Sequence, residues 1–403
     1  MKKKRYIPFE RIQSLNYTEG IFHRPFGLVK VKVETAGGGP TKEAEAELTA
    51  ITKAAAEQIK KEMLGAKIKT SESEEAERVE ESVEIKEVPP LYTMSQKDLI
   101  ILASTSGGIG VFFSGLAVLI SQFSDIMPYE TIYNEIMVFI RFGVLMVVLA
   151  IFAVVLVAWL ASVLLTFINY YQFTIRLEDE EIIVTRGLLE KKKMTIPLAR
   201  IQAVRLIESP IRQMFGYASV AVDSAGGSLT EKDETMRLLP LIKRAEVDKL
   251  LHIIFPQLDL EPEFTLVPKR SKKFFYRLDY LWIIPVVGVT TYFFFPYGLL
   301  SLLLVPLSFA LGIWQHRTAG FFKNDLQLIA RFRVFSRVTI WMEKKRIQSM
   351  TQRTTYFQKK DGVSSILTSI KSGGGSTVTV IPHIEQEDAE ALLEWYEPHR
   401  REG

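Results

Sequence analysis

Hydrophobic residues follow two patterns along this chain, and the first consists of long runs without a charged residue. Such runs extend over Leu99–Ser124, Phe142–Ile175 and Tyr280–Gln315. Each exceeds the roughly 20 residues that a helix needs to cross a bilayer. The third run is interrupted at Pro296–Gly298, where a tight turn is favoured. The pattern predicts two transmembrane hairpins, the second formed either by two short spans or by a re-entrant hairpin that returns to the same side.

The second pattern is the alternation of apolar and polar residues that is typical of half-buried strands. It occurs around Val220 and again over Ile366–Ile370. Downstream of these stretches, apolar residues recur at helical spacing in Glu246–Phe255 and Glu387–Glu397, and a further helix is predicted at Lys42–Leu64. The soluble parts of the chain are therefore predicted to be α+β domains, in which antiparallel strands are closed by one carboxy-terminal helix.

The chain also contains an internal repeat. The segment that begins at Ile7 aligns without a gap to the segment at Ile196, at a constant offset of 189 residues that pairs Gly27 with Gly216. A weaker third copy follows the second at an offset of 146, which matches Gly362 to Gly216. Repeats at such long spacing are duplicated domains rather than solenoid units. The sequence therefore predicts three related soluble domains.

The repeats and the apolar runs together divide the chain into six parts. They are a first domain at 1–66, an acidic linker at 67–96, a hairpin at 97–168, a second domain at 169–262, a hairpin at 274–316 and a third domain at 320–403. The stretch Asn169–Leu189, which opens the second copy, has no counterpart ahead of the first. The first copy is therefore expected to lack its opening strands, and the chain to be an amino-terminally truncated version of a longer protein with one more hairpin.

Charged residues predict which side of the membrane the domains face. The loop Ser121–Glu135 carries acidic but no basic residues, whereas basic residues flank the second hairpin at Lys269–Arg277 and at Arg317. Because cytoplasmic loops are enriched in Lys and Arg, all soluble parts are expected to be cytoplasmic. The glutamate-rich stretch Ser71–Glu87 is then predicted to be a mobile acidic tether.

Composition adds few restrictions to this picture. The chain has 403 residues, 48% of them hydrophobic, a formal net charge of +4 and a mean hydropathy of +0.13, which suits a protein that is part membrane-embedded and part soluble. It has no cysteine, and its five histidines are scattered, so no disulfide and no metal site is predicted. Catalytic and nucleotide-binding motifs do not occur in a fitting context. Neither an enzymatic activity nor a cofactor is therefore predicted.

The candidate contact residues are basic clusters that occupy the same place in two copies. They are Lys191, Lys192 and Lys193 in the second copy and Lys2, Lys3, Lys4 and Arg5 in the first. Beside an anionic leaflet each would gain about 1 kcal/mol, but a solvated strand edge that discourages edge-to-edge pairing explains them equally well. Arg200 and Gln202 of the repeated Arg-Ile-Gln step are further candidates, unless they satisfy backbone groups of neighbouring strands. Nucleic acid is not expected, because the aromatic interleaving of single-strand binders is absent.

The repeated motif resembles that of a known family. Ile196–Val204 has the form I-P-L-x-R-I-Q-x-V, it is followed by Phe215-Gly216 and by an A-G-G turn at Ala225, and it is preceded by R-G-L-L at Arg186. These features resemble the bacterial pleckstrin-homology-like (PH-like) membrane family of the YdbS/YdbT type, over nearly the whole chain. The resemblance implies a PH-like antiparallel β-sandwich or barrel closed by a carboxy-terminal helix, present three times. The third copy departs from the motif, because Trp341-Met342 replaces the Ile-Pro step.

The function implied by this resemblance is that of a non-enzymatic membrane scaffold. Its cytoplasmic PH-like domains would contact anionic lipid of the inner leaflet or a partner protein, such as a membrane protein with one hairpin and one PH-like domain. The family class also suggests a role in envelope stress or in resistance to antimicrobial peptides. The alternative is a small transporter or channel component, for which Arg141, an ionisable residue near the start of the second span, is the candidate functional residue.

Overall fold

The computed structural model describes residues 12–35, 46–59, 62, 89–106, 144–225, 236–293, 295–372 and 375–397, and within them the chain forms three antiparallel sheets joined by helices. The strands are β1 (Ile12–Glu19), β2 (Leu28–Thr35), β3 (Ala46–Thr52), β4 (Tyr92–Thr93), β5 (Thr174–Glu178), β6 (Glu181–Arg186), β7 (Lys191–Pro197), β8 (Ile201–Glu208), β9 (Tyr217–Ser224), β10 (Met236–Lys243), β11 (Thr265–Leu266), β12 (Gly320–Lys323), β13 (Gln327–Arg333), β14 (Arg337–Glu343), β15 (Ile347–Arg353), β16 (Val363–Ser372) and β17 (Gly375–Glu385). The helices are α1 (Gln96–Thr105), α2 (Val144–Tyr170), α3 (Pro210–Met214), α4 (Arg244–Ile254), α5 (Lys272–Phe293), α6 (Leu304–Thr318), α7 (Tyr356–Lys360) and α8 (Gln386–Tyr396).

Two of the sheets are shared between neighbouring repeats of the sequence. The first has the strand order β3-β2-β1-β7-β6-β5-β4, and the second has the order β10-β9-β8-β14-β13-β12-β11. In each, three strands of one repeat join the opening strands of the next repeat along a single antiparallel pair, which is β1 with β7 in the first sheet and β8 with β14 in the second. Neighbouring repeats are therefore linked by backbone hydrogen bonds as well as by the chain.

The largest hydrophobic core lies between the two shared sheets. Strands β5–β7 pack face to face with β8–β10, so that Ile175 and Ile182 share a core with Val220 and Leu239. Helix α4 covers this core with the four side chains that the sequence predicts to face inward, and all four are buried. The second repeat is thus a sandwich whose two layers belong to different sheets.

The third repeat follows the same plan. Its opening strands β12–β14 contribute Leu328 and Ile340 to a core with Ile366 and Ile384 of β16 and β17, and α8 closes it. A smaller core in the first repeat joins β1 and β2 to a helical segment at 53–59. The closing helices predicted at Glu246–Phe255 and Glu387–Glu397 are confirmed to within two residues by α4 and α8.

The two shared pairings have the same register. Tyr17 faces Lys193 in the first sheet and Leu206 faces Thr339 in the second, and these positions are related by the offsets of 189 and 146 found in the sequence. Each of β1, β8 and β15 also carries an irregularity at its start, at Ile12/Ser14, Ile201/Ala203 and Ile347/Ser349. The three strands therefore share one backbone geometry.

Within the described residues, the third sheet consists of β15-β16-β17 without the extension that the other two sheets have. In the part of the chain that the structure describes, β15 pairs with β16 alone. Its outer edge carries exposed Gln348, Ser349, Thr351 and Arg353, whereas the equivalent residues of β8 are buried or half-buried.

Two stretches of helix in the described residues, Phe152–Tyr170 and Gly298–Thr318, are long and apolar enough to cross a membrane, and Tyr280–Phe293 is a shorter apolar helix. Helices α5 and α6 pack closely, because Gly312 has no side chain and a Cβ at that position would lie 2.8 Å from the Cβ of Tyr276. The turn predicted at Pro296–Gly298 is confirmed, since the amide of Leu299 donates to the carbonyl of Pro296. Of the predicted span Leu99–Ser124, only the part up to residue 106 is described.

One predicted element is wrong. The helix expected over Lys42–Leu64 begins only at residue 53, because residues 46–52 form strand β3 along β2. The pairing of Ile51 with Val29 overrides the helix propensity of the local Ala and Glu residues. The hydroxyl of Thr52 then caps the helix by accepting from the amide of Ala55.

Candidate membrane-contact site

Three loops at equivalent places in the repeats carry large apolar side chains into solvent. Each loop follows β1, β8 or β15, and we call them the apolar tips. Their exposed apolar members are Ile21, Phe22 and Phe26, then Ile211, Met214 and Phe215, and finally Tyr356 and Phe357. Phe22 and Met214 are each 84% exposed and Tyr356 is 80% exposed. Because single exposed apolar residues are ordinary but repeated clusters are not, the tips are candidate contact surfaces.

The local sequence holds the tips in shape. Each tip ends in a glycine with positive φ, at Gly27 (63°), Gly216 (70°) and Gly362 (64°), a conformation that other residues adopt only with strain. Ser209 and Thr355 cap the short helices α3 and α7 by accepting from backbone amides of the first turn. The apolar side chains are therefore presented on ordered turns.

The second tip lies against the end of α1. The guanidinium of Arg212 donates to the hydroxyl of Thr105 at 3.1 Å, to the carbonyl of Pro240 at 3.1 Å and to the hydroxyl of Ser219. Burial, with a smaller contribution from nearby Arg237, lowers the pKa of Arg212 to about 10. This buried cation fixes α3 beside Thr105, the last residue of α1.

The other two tips also lie beside apolar helices. Arg24 donates to the carbonyl of Leu188 at 3.4 Å, and the amide of Leu188 donates to Ile168 in α2. At the third tip, the guanidinium of Arg277 in α5 lies 4.1 Å from the ring centre of Phe357. The first and third apolar tips therefore lie near ends of the apolar helices α2 and α5, and the second lies at the end of α1.

A second set of turns extends the same apolar surface. The β6–β7 turn exposes Leu189, and the β13–β14 turn exposes Val334 and Phe335, which are 67% and 68% exposed. Arg333 links the second of these turns to the second tip by donating to the side chain of Gln213 at 2.9 Å. Its guanidinium also lies 3.8 Å from the ring centre of Trp314 in α6. We refer to the tips and these two turns together as the apolar rim.

The basic residues predicted from the sequence lie partly on this rim. Lys191 is exposed at the start of β7, directly after the turn with Leu189. The alternative of a basic strand edge is wrong for Lys191–Lys193, because β7 is paired with β6 on one side and with β1 on the other. Lys2, Lys3, Lys4 and Arg5 lie outside the described residues.

The Arg-Ile-Gln step is mainly structural in the second repeat. Gln202 is 8% exposed, and its amide group donates to the carbonyl of Arg200 at 2.9 Å. Arg200 is half-buried, and its carbonyl also accepts from the amide of Ala225. The pairing of these residues with backbone groups favours the structural alternative for Gln202.

A cavity of about 690 Å³ lies at the first shared pairing, next to the rim. Its lining includes the basic residues Lys53, Arg176, Lys191 and Lys193 together with Tyr17. The hydroxyl of Tyr17 is buried and makes no hydrogen bond to any described group. Burial, reinforced by Glu57 and Glu181, raises the pKa of Tyr17 to about 12, so the phenol is a neutral donor. Two of the predicted lysines thus share a cavity with a phenol that can donate to an anion.

Comparison with known proteins decides the family. The bacterial PH domain family matches residues 1–67, 119–257 and 280–400. The chain belongs to this bacterial PH domain family. It is 35% identical over 409 residues to the transmembrane protein YdbT of Bacillus subtilis (strain 168), an alignment that covers all of this chain and 82% of that protein. No solved structure matches the chain.

Membership of the bacterial PH domain family agrees with the resemblance that the Ile196–Val204 motif indicates, and with a transmembrane protein that mixes helices and antiparallel sheets. The apolar rim was missed by the sequence analysis. The motif includes Phe215 only as part of a turn. Phe22, Ile211 and Phe357 are equivalent to one another, because they are related by the offsets of 189 and 146. The signal in the sequence that indicates the rim is a large apolar residue that recurs five positions before the turn glycine. Among the described residues, no group of three or more acidic or histidine side chains could hold a metal ion.

Proposed function

We propose that this protein is a non-enzymatic membrane scaffold, in which three PH-like domains alternate with two transmembrane hairpins and lie on the cytoplasmic leaflet through the apolar rim. One observation carries the proposal. Equivalent loops of all three repeats expose large apolar side chains, and these loops lie near the ends of the apolar helices α2, α6 and α5. A surface of this kind suits the boundary between headgroups and acyl chains.

The charges near the rim support a cytoplasmic orientation. Basic residues lie just before α5 and in its first two turns, over Lys269–Arg277, and Arg317 lies in the last turn of α6. The charged residues of the predicted outer loop are acidic only. Trp314 and Arg333 form a cation–π pair beside the rim, and aromatic and basic residues are enriched at membrane interfaces. The orientation follows from the positive-inside rule.

Apolar and electrostatic contributions would act together at this surface. A side chain of the size of Phe or Met gains on the order of 1–2 kcal/mol when it leaves water for the acyl boundary, and a basic residue near an anionic leaflet gains about 1 kcal/mol. Several such contributions orient a domain that is already tethered by its helices. The role is that of holding domains against the membrane, without a chemical step.

The cavity at the first shared pairing adds a binding site for an anionic group. Lys53, Lys191 and Lys193 supply positive charge, and Tyr17 supplies a neutral donor. Glu19 and Glu57 also line the cavity, and Glu19 forms an ion pair with Lys53 at 2.8 Å, so two carboxylates stand against four basic side chains. Because it lies beside the rim, a phosphate-bearing lipid headgroup is the ligand that best suits it.

Lipid-attached quenchers can test the contact of the rim with the membrane. The chain has no cysteine, so the variants Met214→Cys and Leu326→Cys each carry one fluorophore after labelling. Leu326 is a matched control, because it is 76% exposed and apolar but lies in the β12–β13 turn, at the other end of the strand from Arg333. In nanodiscs with spin-labelled headgroups, we expect strong quenching at position 214 and little at position 326. Equal, weak quenching at both positions would contradict the proposal.

The lipid dependence gives a second readout. We expect quenching at position 214 to be stronger in nanodiscs with anionic lipid than in zwitterionic ones, and to weaken with salt only in the anionic case, since charge is screened and apolar contact is not. The Lys191→Gln, Lys193→Gln variant should reduce the difference between the two lipids. No dependence on lipid charge would remove the electrostatic half of the proposal and leave the apolar half.

A further inference from the structure

Strand β15 has the backbone of a strand that accepts a neighbour. Ser349 faces Ser369 in β16 as Ala203 faces Asp223 in β9 and as Ser14 faces Glu34 in β2, so the inner pairing has one register in all three repeats. The irregularity at the start of the strand is also the same. The strands β1 and β8 use their outer edge to bind β7 and β14, the third opening strand of the following repeat.

We infer that the outer edge of β15 binds the third opening strand of a PH-like domain in a different polypeptide. The argument is continuity with two interfaces inside this chain, which use the same strand, the same edge and the same register. Addition of a strand to an open sheet edge obtains its affinity from backbone hydrogen bonds and its specificity from alternate side chains. The inference does not depend on contact of the rim with lipid.

Charge and existing pairing argue against the opening strands of a second copy of this chain as the occupant. Thr18 faces Lys192 and Ile207 faces Val338 at the two internal interfaces, and the equivalent residue of β15 is Arg353. A strand with lysine at that place, as in Lys191–Lys193, would set two cations opposite each other, which destabilises an antiparallel pair. The opening strands β7 and β14 of another copy are moreover already paired.

The same comparison indicates what the partner strand carries. Glu208 faces Arg337 with two hydrogen bonds of 2.6 Å, and Glu19 faces Lys191. The equivalent residue after β15 is Thr354, so a basic residue in the partner gains nothing there. The partner strand is instead complementary when an acidic residue faces Arg353. The occupant is thus an acidic variant of the opening strand, in a separate bacterial PH-type protein.

A designed hairpin provides the probe. The peptide reproduces residues 327–343 in cyclised form with Val338→Glu, and a matched peptide has Val338→Lys. Each also carries Ile340→Cys, because Ile340 faces Arg205 and the equivalent of Arg205 in β15 is Thr351. The full chain with Thr351→Cys is held in nanodiscs, and disulfide formation is followed by mass.

With this probe we expect the acidic peptide to cross-link to position 351 about tenfold faster than the lysine peptide, from the difference between opposite and like charges across a strand pair. Arg353→Glu in the chain should reverse the preference, and Arg353 is exposed, so the fold is preserved. A peptide with the cysteine moved to Trp341 faces the other side and should not react.

Four results would each overturn the inference. They are the absence of a cross-link, equal rates for both peptides that Arg353→Glu does not change, a cross-link at least as fast from the peptide with cysteine at 341, and rapid disulfide dimers of the Thr351→Cys chain without peptide. The last result would show that a second copy of this chain occupies the edge.

Discussion

Strands β8 and β15 have the same backbone and different neighbours. Strand β8 is internal to a seven-stranded sheet, and its Glu208 is 2% exposed and holds Arg337 through both carboxylate oxygens. Strand β15 ends its sheet within the described residues, with Arg353 and Thr354 where β8 has Ile207 and Glu208. The backbone geometry of the repeated strand is thus the same in both copies, whereas the residues that determine which strand can pair with its outer edge differ.

The second and third repeats also differ in how they are attached to the rest of the chain. Shared sheets hold the second domain on both sides. The third repeat has a shared sheet on one side. On the other side it contacts α5, where Lys273 pairs with Asp361 at 2.7 Å, and the turn before α5, where Arg270 pairs with Glu385. His383 completes this contact between the rings of Phe274 and Phe275. The third repeat is therefore held by one shared sheet and by side-chain contacts with α5 and the turn before it.

The largest expected difference in stability is between Glu208, at the end of β8, and its equivalent Thr354, just after β15. We expect Glu208→Ala to lower the free energy of unfolding by about 4 kcal/mol, because removal of one partner leaves Arg337 partly buried without compensation. Thr354→Ala at the equivalent place in β15 should change it by less than about 0.5 kcal/mol. Denaturant titration in detergent, followed by circular dichroism of the sheets, measures both. A loss below 1 kcal/mol for Glu208→Ala would show that the ion pair does not fix the shared sheet.

Low pH should lower the stability of the third repeat more than that of the second. Burial lowers the pKa of His383 to about 4 from the ordinary 6.5, so the neutral ring is favoured by folding. Its contribution to stability is complete above about pH 6.5 and is lost as the pH falls towards 4. The loss amounts to about 3 kcal/mol over this range.

The variant His383→Asn isolates this contribution. Asn tolerates the positive φ of 51° at this position and does not titrate. We expect the difference in Tm between pH 7 and pH 4.5 to be larger for the original protein than for His383→Asn, with domain-resolved proteolysis showing the change in residues 356–397. The same pH dependence in both proteins would assign acid sensitivity elsewhere.

The smallest expected effect concerns the Gln of the repeated motif. Gln202 is buried and bonded to the carbonyl of Arg200, whereas Gln348 in β15 is exposed. Gln202→Ala should cost about 1 kcal/mol, the value of one buried hydrogen bond, and Gln348→Ala close to nothing. Equal effects would mean that the two copies of the motif have the same environment after all.

Local pattern was enough to predict the elements of this fold but not their partners. The apolar spacing of Val247, Leu250 and Leu251 identified α4, and the period of two identified β9 and β16. Lys191–Lys193 were interpreted as a strand edge or a lipid contact because their neighbour β1 lies in the preceding repeat, beyond the reach of any local pattern. Pairing between distant strands depends on the whole chain, and it also turned residues 46–52 from predicted helix into β3.

Sequence patterns predicted the basic residues of the candidate site but not its exposed apolar residues. Lysines in a row are conspicuous in a sequence, and Lys191 does lie on the rim. Phe22, Met214 and Tyr356 are apolar residues that break the expected burial of such side chains, and a hydropathy pattern assigns them to a core by default. Their exposure becomes evident only when the turn geometry and the neighbouring helices are known.

The pairing of β1 with β7 also sets an order of events during biosynthesis. Tyr17 in β1 pairs with Lys193 in β7. Strand β1 therefore cannot form this pair until β7, which is synthesised well over a hundred residues later, has left the ribosome. At synthesis rates of about 5–20 residues per second, this delay is on the order of ten seconds or more. The intervening chain includes α2, a helix apolar enough to be inserted into the membrane before β7 is available. The first sheet is therefore completed only after α2 has been synthesised, so its two halves are separated in time as well as in sequence.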